Sequence, residues 1–367
     1  VLQTVRRDSP AVNRQAIVDT ITTVVRRLHE DFPDAATVGI GAAGMVSSDR
    51  NTMAHGTNLD WTGMRIGDIV SEGVGLPVVV ENDANAAGWA EARFGAGAGK
   101  ANVLVVTLGT GVGGAVIING RLVRGAAGFA AEIGHINVVP DGRPCGCGLR
   151  GCLERYGSGT ALGVNGWELA RFQPSYAARI IELSGGNPEH ISGKAVTAAA
   201  REGDPAALEC YARLGRALGQ GLADLAAVLD PEVIVMTGGM TEAGPILLEP
   251  VTAAFRAHLT AHARRPEIPV LISSAGQDAG LVGAADLARQ VDWGAPGRRL
   301  PAAGPGSGPG RGPAAHRGAA AAGPRIGRGR RPGARGSAAR HLGLADQRAA
   351  HLRQRAGVGR PDAGGGH

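Results

Sequence analysis

The sequence predicts an α/β protein. Three observations carry this: β-branched apolar runs alternate with stretches of helical periodicity, polar residues collect at a strand's carboxyl end, and Asn119-Gly120 joins two apolar runs as a hairpin. Ile17, Ile21, Val24, Val25 and Leu28 fall on one helical face, and the run Val38–Ile40 then reads as a buried strand before the turn Gly41–Gly44. Leu76–Val80 is a second uninterrupted strand. It ends in Glu81-Asn82-Asp83-Ala84-Asn85 and passes into a helical pattern through Arg93. Asn102–Leu108, a glycine-rich turn, Gly114–Ile118 and Arg121–Val123 form an antiparallel meander that opens a second domain. A long helix over Ala206–Leu229 leads to strand Val233–Met236 and the turn Thr237-Gly238-Gly239. Helix Pro245–His262, strand Ile268–Ile272 and helix Gly280–Val291 complete the body.

Charge divides the chain. Residues 295–367 hold 14 Arg, no Lys, 2 Asp and no Glu, so this stretch carries +12 of a net +6 and leaves the first 294 residues at −6. The acidic body, with only 3% aromatic residues, argues against nucleic acid as its partner. Residues 294–367 are rich in Gly, Pro, Ala and Arg without a period, a composition that reads as a disordered tail. It also reads as GC-rich coding sequence taken in a wrong frame. No apolar run is long enough for a membrane span and the opening residues lack a signal-peptide core, so a cytoplasmic location is expected.

Four groups of residues can carry chemistry. His135, Cys145, Cys147 and Cys152 supply one imidazole and three thiolates within 18 residues, a set that closes a tetrahedral site and calls for zinc. Four protein ligands leave no open position, so such an ion is structural. Asn82-Asp83 stands at a strand's carboxyl end, where Asp83 is either a general base or the N-cap of the helix from Ala84. Gly109, Thr110, Gly111 and Gly113 are either a phosphate nest or a glycine-rich hairpin turn, since the spacing matches no standard nucleotide motif. Gly238-Gly239 would let a flat base approach the backbone, or is an ordinary turn.

Glu132-Ile133-Gly134-His135 followed by Cys145-Gly146-Cys147-Gly148-Leu149-Arg150-Gly151-Cys152-Leu153-Glu154, together with the Asn-Asp and glycine motifs, resembles the ROK family of bacterial sugar kinases and sugar-responsive repressors. The likeness runs from Val1 to Val291 and is strongest to zinc-containing actinobacterial glucokinases. It implies the actin-like ATPase (ribonuclease H-like) fold, two lobes around a cleft. The first lobe would span 1–95 with the helix of 280–293 returning to it, and the second 96–279. It implies ATP-dependent phosphorylation of the glucose 6-hydroxyl, with Mg²⁺, and a homo-oligomer, dimer or tetramer. Asp83 would be the base, and Asn58, Asn82, Asp83, Glu132, His135 and Glu154 the sugar contacts. Gly109, Thr110, Gly111 and Gly113 would hold phosphate, Gly238 and Gly239 the adenosine, and His135, Cys145, Cys147 and Cys152 the zinc. The other reading is a repressor without its DNA-binding module, or a sugar-binding remnant. Members of the family open with Asp-x-Gly-Gly-Thr between two strands, and Val1–Val5 resembles the second of these. The chain is therefore expected to start late and to phosphorylate weakly or not at all as it stands.

Overall fold

The computed structural model describes residues 1–8, 13–56, 61–276 and 278–291; the expected tail over 294–367 lies outside them. Residues 1–8 form no strand, unlike the expectation for Val1–Val5, and no strand among the described residues pairs with them. Helix α1 (Arg14–Asp31) begins at Asn13, whose side chain accepts from the Ala16 N–H, and it buries Ile17 and Val18. Strands β1 (Val38–Ala42), β2 (Gly44–Val46) and β3 (Met53–Gly56) follow, then α2 (Ile66–Val74) and β4 (Val78–Asn82). β1 pairs with β4 in parallel and β2 with β3 antiparallel. Ile17, Ala42, Met53, Trp61, Ile66 and Val80 close this core. β4 runs two residues later than the sequence pattern suggested because Pro77 has no N–H for the ladder. Helix α3 (Asp83–Phe94) starts directly from it.

The second lobe is built on one sheet. β5 (Val103–Leu108), β6 (Val112–Ile118) and β7 (Arg121–Leu122) are antiparallel neighbours, joined at Asn119 (φ 51°) and Gly120 (φ 71°) by the expected tight turn. The β5–β6 ladder continues to Leu108↔Val112, so the connecting loop is only Gly109-Thr110-Gly111. After a long loop come α4 (Glu154–Gly157), α5 (Gly159–Phe172), α6 (Ala178–Leu183), α7 (Gly193–Arg201), α8 (Pro205–Leu229), β8 (Val233–Thr237), α9 (Pro245–His258), β9 (Val270–Ile272) and α10 (Ala279–Arg289). The strand order is β7-β6-β5-β8-β9, with β5, β8 and β9 parallel. α9 stops at His258 rather than His262, since Leu259 turns extended and Ala261 is left-handed (φ 56°). β9 starts after Pro269 for the same reason that β4 starts after Pro77.

α10 packs back on α3 and β1. A Cβ at Gly283 would lie 1.8 Å from Ala86 O, and one at Gly39 would lie 2.0 Å from Ala284 O, so only glycine permits these approaches. Trp89 Nε1 donates to Asp286 Oδ2 at 2.9 Å across the same contact. Among the described residues, no helix is long and apolar enough to cross a membrane.

Candidate active site

At the end of β4 the helix cap falls to Asn82 and not to Asp83. Asn82 takes the cap: its Oδ1 accepts from the Asn85 N–H at 3.0 Å, while its Nδ2 donates to Gly44 O at 3.0 Å. Asp83 becomes the first residue of α3, with one carboxylate oxygen accepting from the Ala84 N–H at 2.9 Å. The carboxylate opens to the cleft, yet the walls around it exclude much of the water, and this pushes its pKa above the ordinary carboxylate value. A base for a hydroxyl proton gains from that direction of shift.

Two more carboxylates share the cavity. Glu132 precedes the short 3₁₀ turn Ile133–His135, and burial raises its pKa, with Asp83 and Glu154 adding repulsion while His135 opposes the shift. Glu154 opens α4, and its Oε2 accepts from the Val112 N–H at 3.1 Å, which ties it to the glycine loop. A Cβ at Gly111 would sit 2.2 Å from that same oxygen. Asn82, Asp83, Glu132, His135 and Glu154 line one cavity of about 990 Å³. Asn58 lies outside the described residues. His55, on β3, lines the same cavity and was not singled out from the sequence, where a lone histidine gives no signal.

The metal-type cluster assembles beside this cavity. One ligand atom from each of His135, Cys145, Cys147 and Cys152 lies within 4.8 Å of all the others. Cys145 Sγ is 3.7 Å from His135 Nδ1 and Cys147 Sγ is 3.6 Å from Cys152 Sγ. A zinc tetrahedron with 2.3 Å Zn–S and 2.0–2.1 Å Zn–N bonds needs edges of about 3.6–3.8 Å, and both of these separations match it. The loop closes through Cys145 N–H to Leu149 O at 2.8 Å and through Gly148 (φ 90°) and Gly151 (φ 77°), conformations that favour glycine. The Leu149 N–H beside Cys147 holds its thiol pKa below the ordinary value.

A second cavity, about 1150 Å³, meets the first at Gly109. Thr110 and Gly239 line it as the motifs suggested, whereas Gly238 faces the first cavity. Gly111 and Gly113 also face the first. The remaining wall was missed: the helix starts Gly159-Thr160 and Gly193-Lys194, capped by Ser158 and Ser192. Gly159 N–H donates to Gly109 O at 2.8 Å and Thr160 Oγ1 to Thr110 O at 2.7 Å, so α5 anchors the glycine loop. A serine before a helical pattern was the available signal.

The ROK family profile matches residues 1–291. The chain belongs to the ROK family. The glucokinase of Streptomyces coelicolor is 46% identical over 278 residues, covering 76% of this chain and 87% of that one. The structure of a ROK family glucokinase from Streptomyces griseus, in complex with glucose and AMPPNP, is 47% identical with a TM-score of 0.70, over 77% of this chain and 90% of that one. A ROK hexokinase from Thermus thermophilus is 30% identical with a TM-score of 0.64, covering 77% and 88%. The ROK fold is the actin-like ATPase fold, two lobes around a cleft.

Proposed function

We propose that this ROK protein transfers the γ-phosphate of ATP to the 6-hydroxyl of glucose. The observation that carries the reading is the Asp83 carboxylate, held at a raised pKa in a cavity that meets a second one at the glycine loop. The glucokinases of Streptomyces support glucose as the sugar and ATP as the donor.

In this mechanism Asp83 takes the proton of the sugar 6-hydroxyl as that oxygen attacks the γ-phosphorus. The new O6–P bond forms, the bond to the β–γ bridging oxygen breaks, and ADP leaves. Glu132, Glu154, His135 and Asn82, with Asn58, hold the sugar hydroxyls. Each end of the Asn82 amide already makes one hydrogen bond, to Gly44 O and from the Asn85 N–H, which fixes the side chain and leaves its second amide hydrogen for the sugar. Thr110 and Gly111 offer N–H groups to the phosphates, Gly109, whose own N–H closes the loop on Gly111 O at 3.0 Å, and Gly113 keep the backbone there approachable, and Gly238-Gly239 form the edge for adenosine. Mg²⁺, when bound with ATP, neutralises phosphate charge.

His135, Cys145, Cys147 and Cys152 would hold a structural zinc ion. His135 would direct Nδ1 to it and leave Nε2 for the sugar, which fixes the tautomer and aim of that ring. The test is the rate of Mg-ATP-dependent phosphorylation across glucose, fructose, mannose and N-acetylmannosamine. Glucose should give the highest kcat/KM; a preference for another of these sugars would overturn the assignment.

A further inference from the structure

The segment that follows β7 leaves the second lobe's sheet and lies on the first lobe. Val123 N–H still donates to Val116 O at 2.8 Å, within the sheet. From Arg124 onward the partners change. Ser48 N–H donates to Ala127 O at 2.9 Å, and a Cβ at Gly128 would lie 2.3 Å from Val46 O, so the strap presses on the end of β2. Ala130 N–H donates back to Arg124 O at 3.0 Å, which closes the strap into a compact turn. Ile133 N–H then donates to Ala131 O at 2.7 Å, immediately around Glu132.

One ion pair with a buried carboxylate fastens this strap. Arg124 Nε donates to Glu81 Oε2 at 2.6 Å, and the Glu81 side chain is 4% exposed. The other oxygen of Glu81 accepts from the Asn82 N–H and from Asn85 Nδ2, both at 3.1 Å. Glu81 thus joins the backbone just before Asp83 to the strap just before Glu132. Arg50 Nε stands 3.8 Å from Glu81 Oε2, and Arg50 Nη2 reaches Leu287 O at 3.5 Å, so the carboxylate answers two guanidinium groups. Burial, with Arg124 close by, pulls the Arg50 pKa down to about 10. The carboxylate is what allows both cations to stay.

We infer that Glu81 and Arg124 are positioning residues for sugar binding: their ion pair holds the strap 124–131 against the first lobe and so aims Glu132 at the sugar cavity across from Asp83. The inference rests on the sugar-site reading of Glu132 given above. Neither residue touches the sugar. Glutamine at position 81 cannot replace the carboxylate, because every polar contact on both of its oxygens is a donor, and an amide nitrogen in either place would face one. Lysine at 124 keeps the charge but not the planar donor geometry.

The test uses the full chain and titration calorimetry with glucose and, separately, with Mg-ATP. Arg124→Ala and Glu81→Gln should each weaken glucose binding by about tenfold or more, since displacement of a contact by around 1 Å is enough to cause such losses. Mg-ATP affinity should stay within about twofold, and Arg124→Lys should recover glucose affinity to within about threefold of the parent. Because the effect runs through Glu132, adding Arg124→Ala to Glu132→Gln should weaken glucose binding by less than about threefold further. Parent-like glucose affinity in Arg124→Ala and Glu81→Gln overturns the inference, as does a fully additive double variant. If Arg124→Ala does not fold, Glu81→Gln decides by the same criterion, with Arg124→Lys still expected within about threefold of the parent, and loss of folding in all three would make the pair a fold determinant and overturn the positioning role. If Glu132→Gln itself binds glucose like the parent, the sugar-site reading fails instead.

Discussion

Gly134 sits between Glu132 and His135, and its Cα faces the carbonyl of Val112 on β6. A Cβ there would lie 2.0 Å from Val112 O, whereas ordinary contact begins at 3.4 Å, so Gly134→Ala forces a separation of about 1.4 Å. The clash partner is backbone within the sheet and cannot rotate away. The 3₁₀ turn has to move instead, carrying Glu132 and the His135 of the Cys/His cluster with it. Gly134 does not have a positive φ, so crowding is the whole effect. Overpacking of this kind destabilises by about 1–3 kcal/mol. Misplacement of contacting groups by about 1 Å lowers rate by about 10²-fold. The assay is kcat/KM for glucose 6-phosphate formation with Mg-ATP, beside a melting curve. A Gly134→Ala protein within threefold of the parent would show that the turn is not held against β6 as described.

Other consequences follow from the same geometry. Asp83 has a raised pKa, so turnover should fall as pH drops through a value above the ordinary carboxylate range, and an inflection at or below that range would remove the base from its crowded setting. A raised carboxylate pKa favours the fold below the unfolded pKa and loses that benefit as pH rises through the folded one; Asp83→Asn should therefore melt no lower than the parent at neutral pH. Chelation should lower the melting temperature and glucose affinity together, because metal binding energy is folding energy, and metal-free protein with parent glucose affinity would refute this. On α10, Gly280→Ala meets nothing within 4 Å and should gain up to about 1 kcal/mol, whereas Gly283→Ala should lose about 1–3 kcal/mol against Ala86 O. Equal melting temperatures for the two would contradict the packing of α10 on α3.

The residues that could be read from the sequence are those whose chemistry is local. The three cysteines lie within eight positions, with His135 ten residues before Cys145, so the cluster declares itself by spacing alone. Asn119-Gly120 likewise fixes its own turn. The division of labour between Asn82 and Asp83 could not be read, because either can cap a helix and the choice depends on Gly44 O, 38 residues away. The Glu81–Arg124 pair, 43 residues apart, leaves no periodic trace. Strand limits shifted where Pro77 and Pro269 withhold a donor, a local effect that apolar runs hide. The Val1–Val5 segment has strand composition but no partner among the described residues, and composition does not supply one. The α5 and α7 starts were missed because a serine cap marks a helix, not what the helix faces.

The most direct measurement compares glucose 6-phosphate formation by the parent chain and by Asp83→Asn at saturating Mg-ATP, with glucose affinity measured on the same samples. The ratio is the test, whatever the absolute rate. Loss of a general base should lower turnover by about 10² to 10⁴ while glucose binding stays nearly unchanged. A ratio below ten would contradict a kinase that works through Asp83.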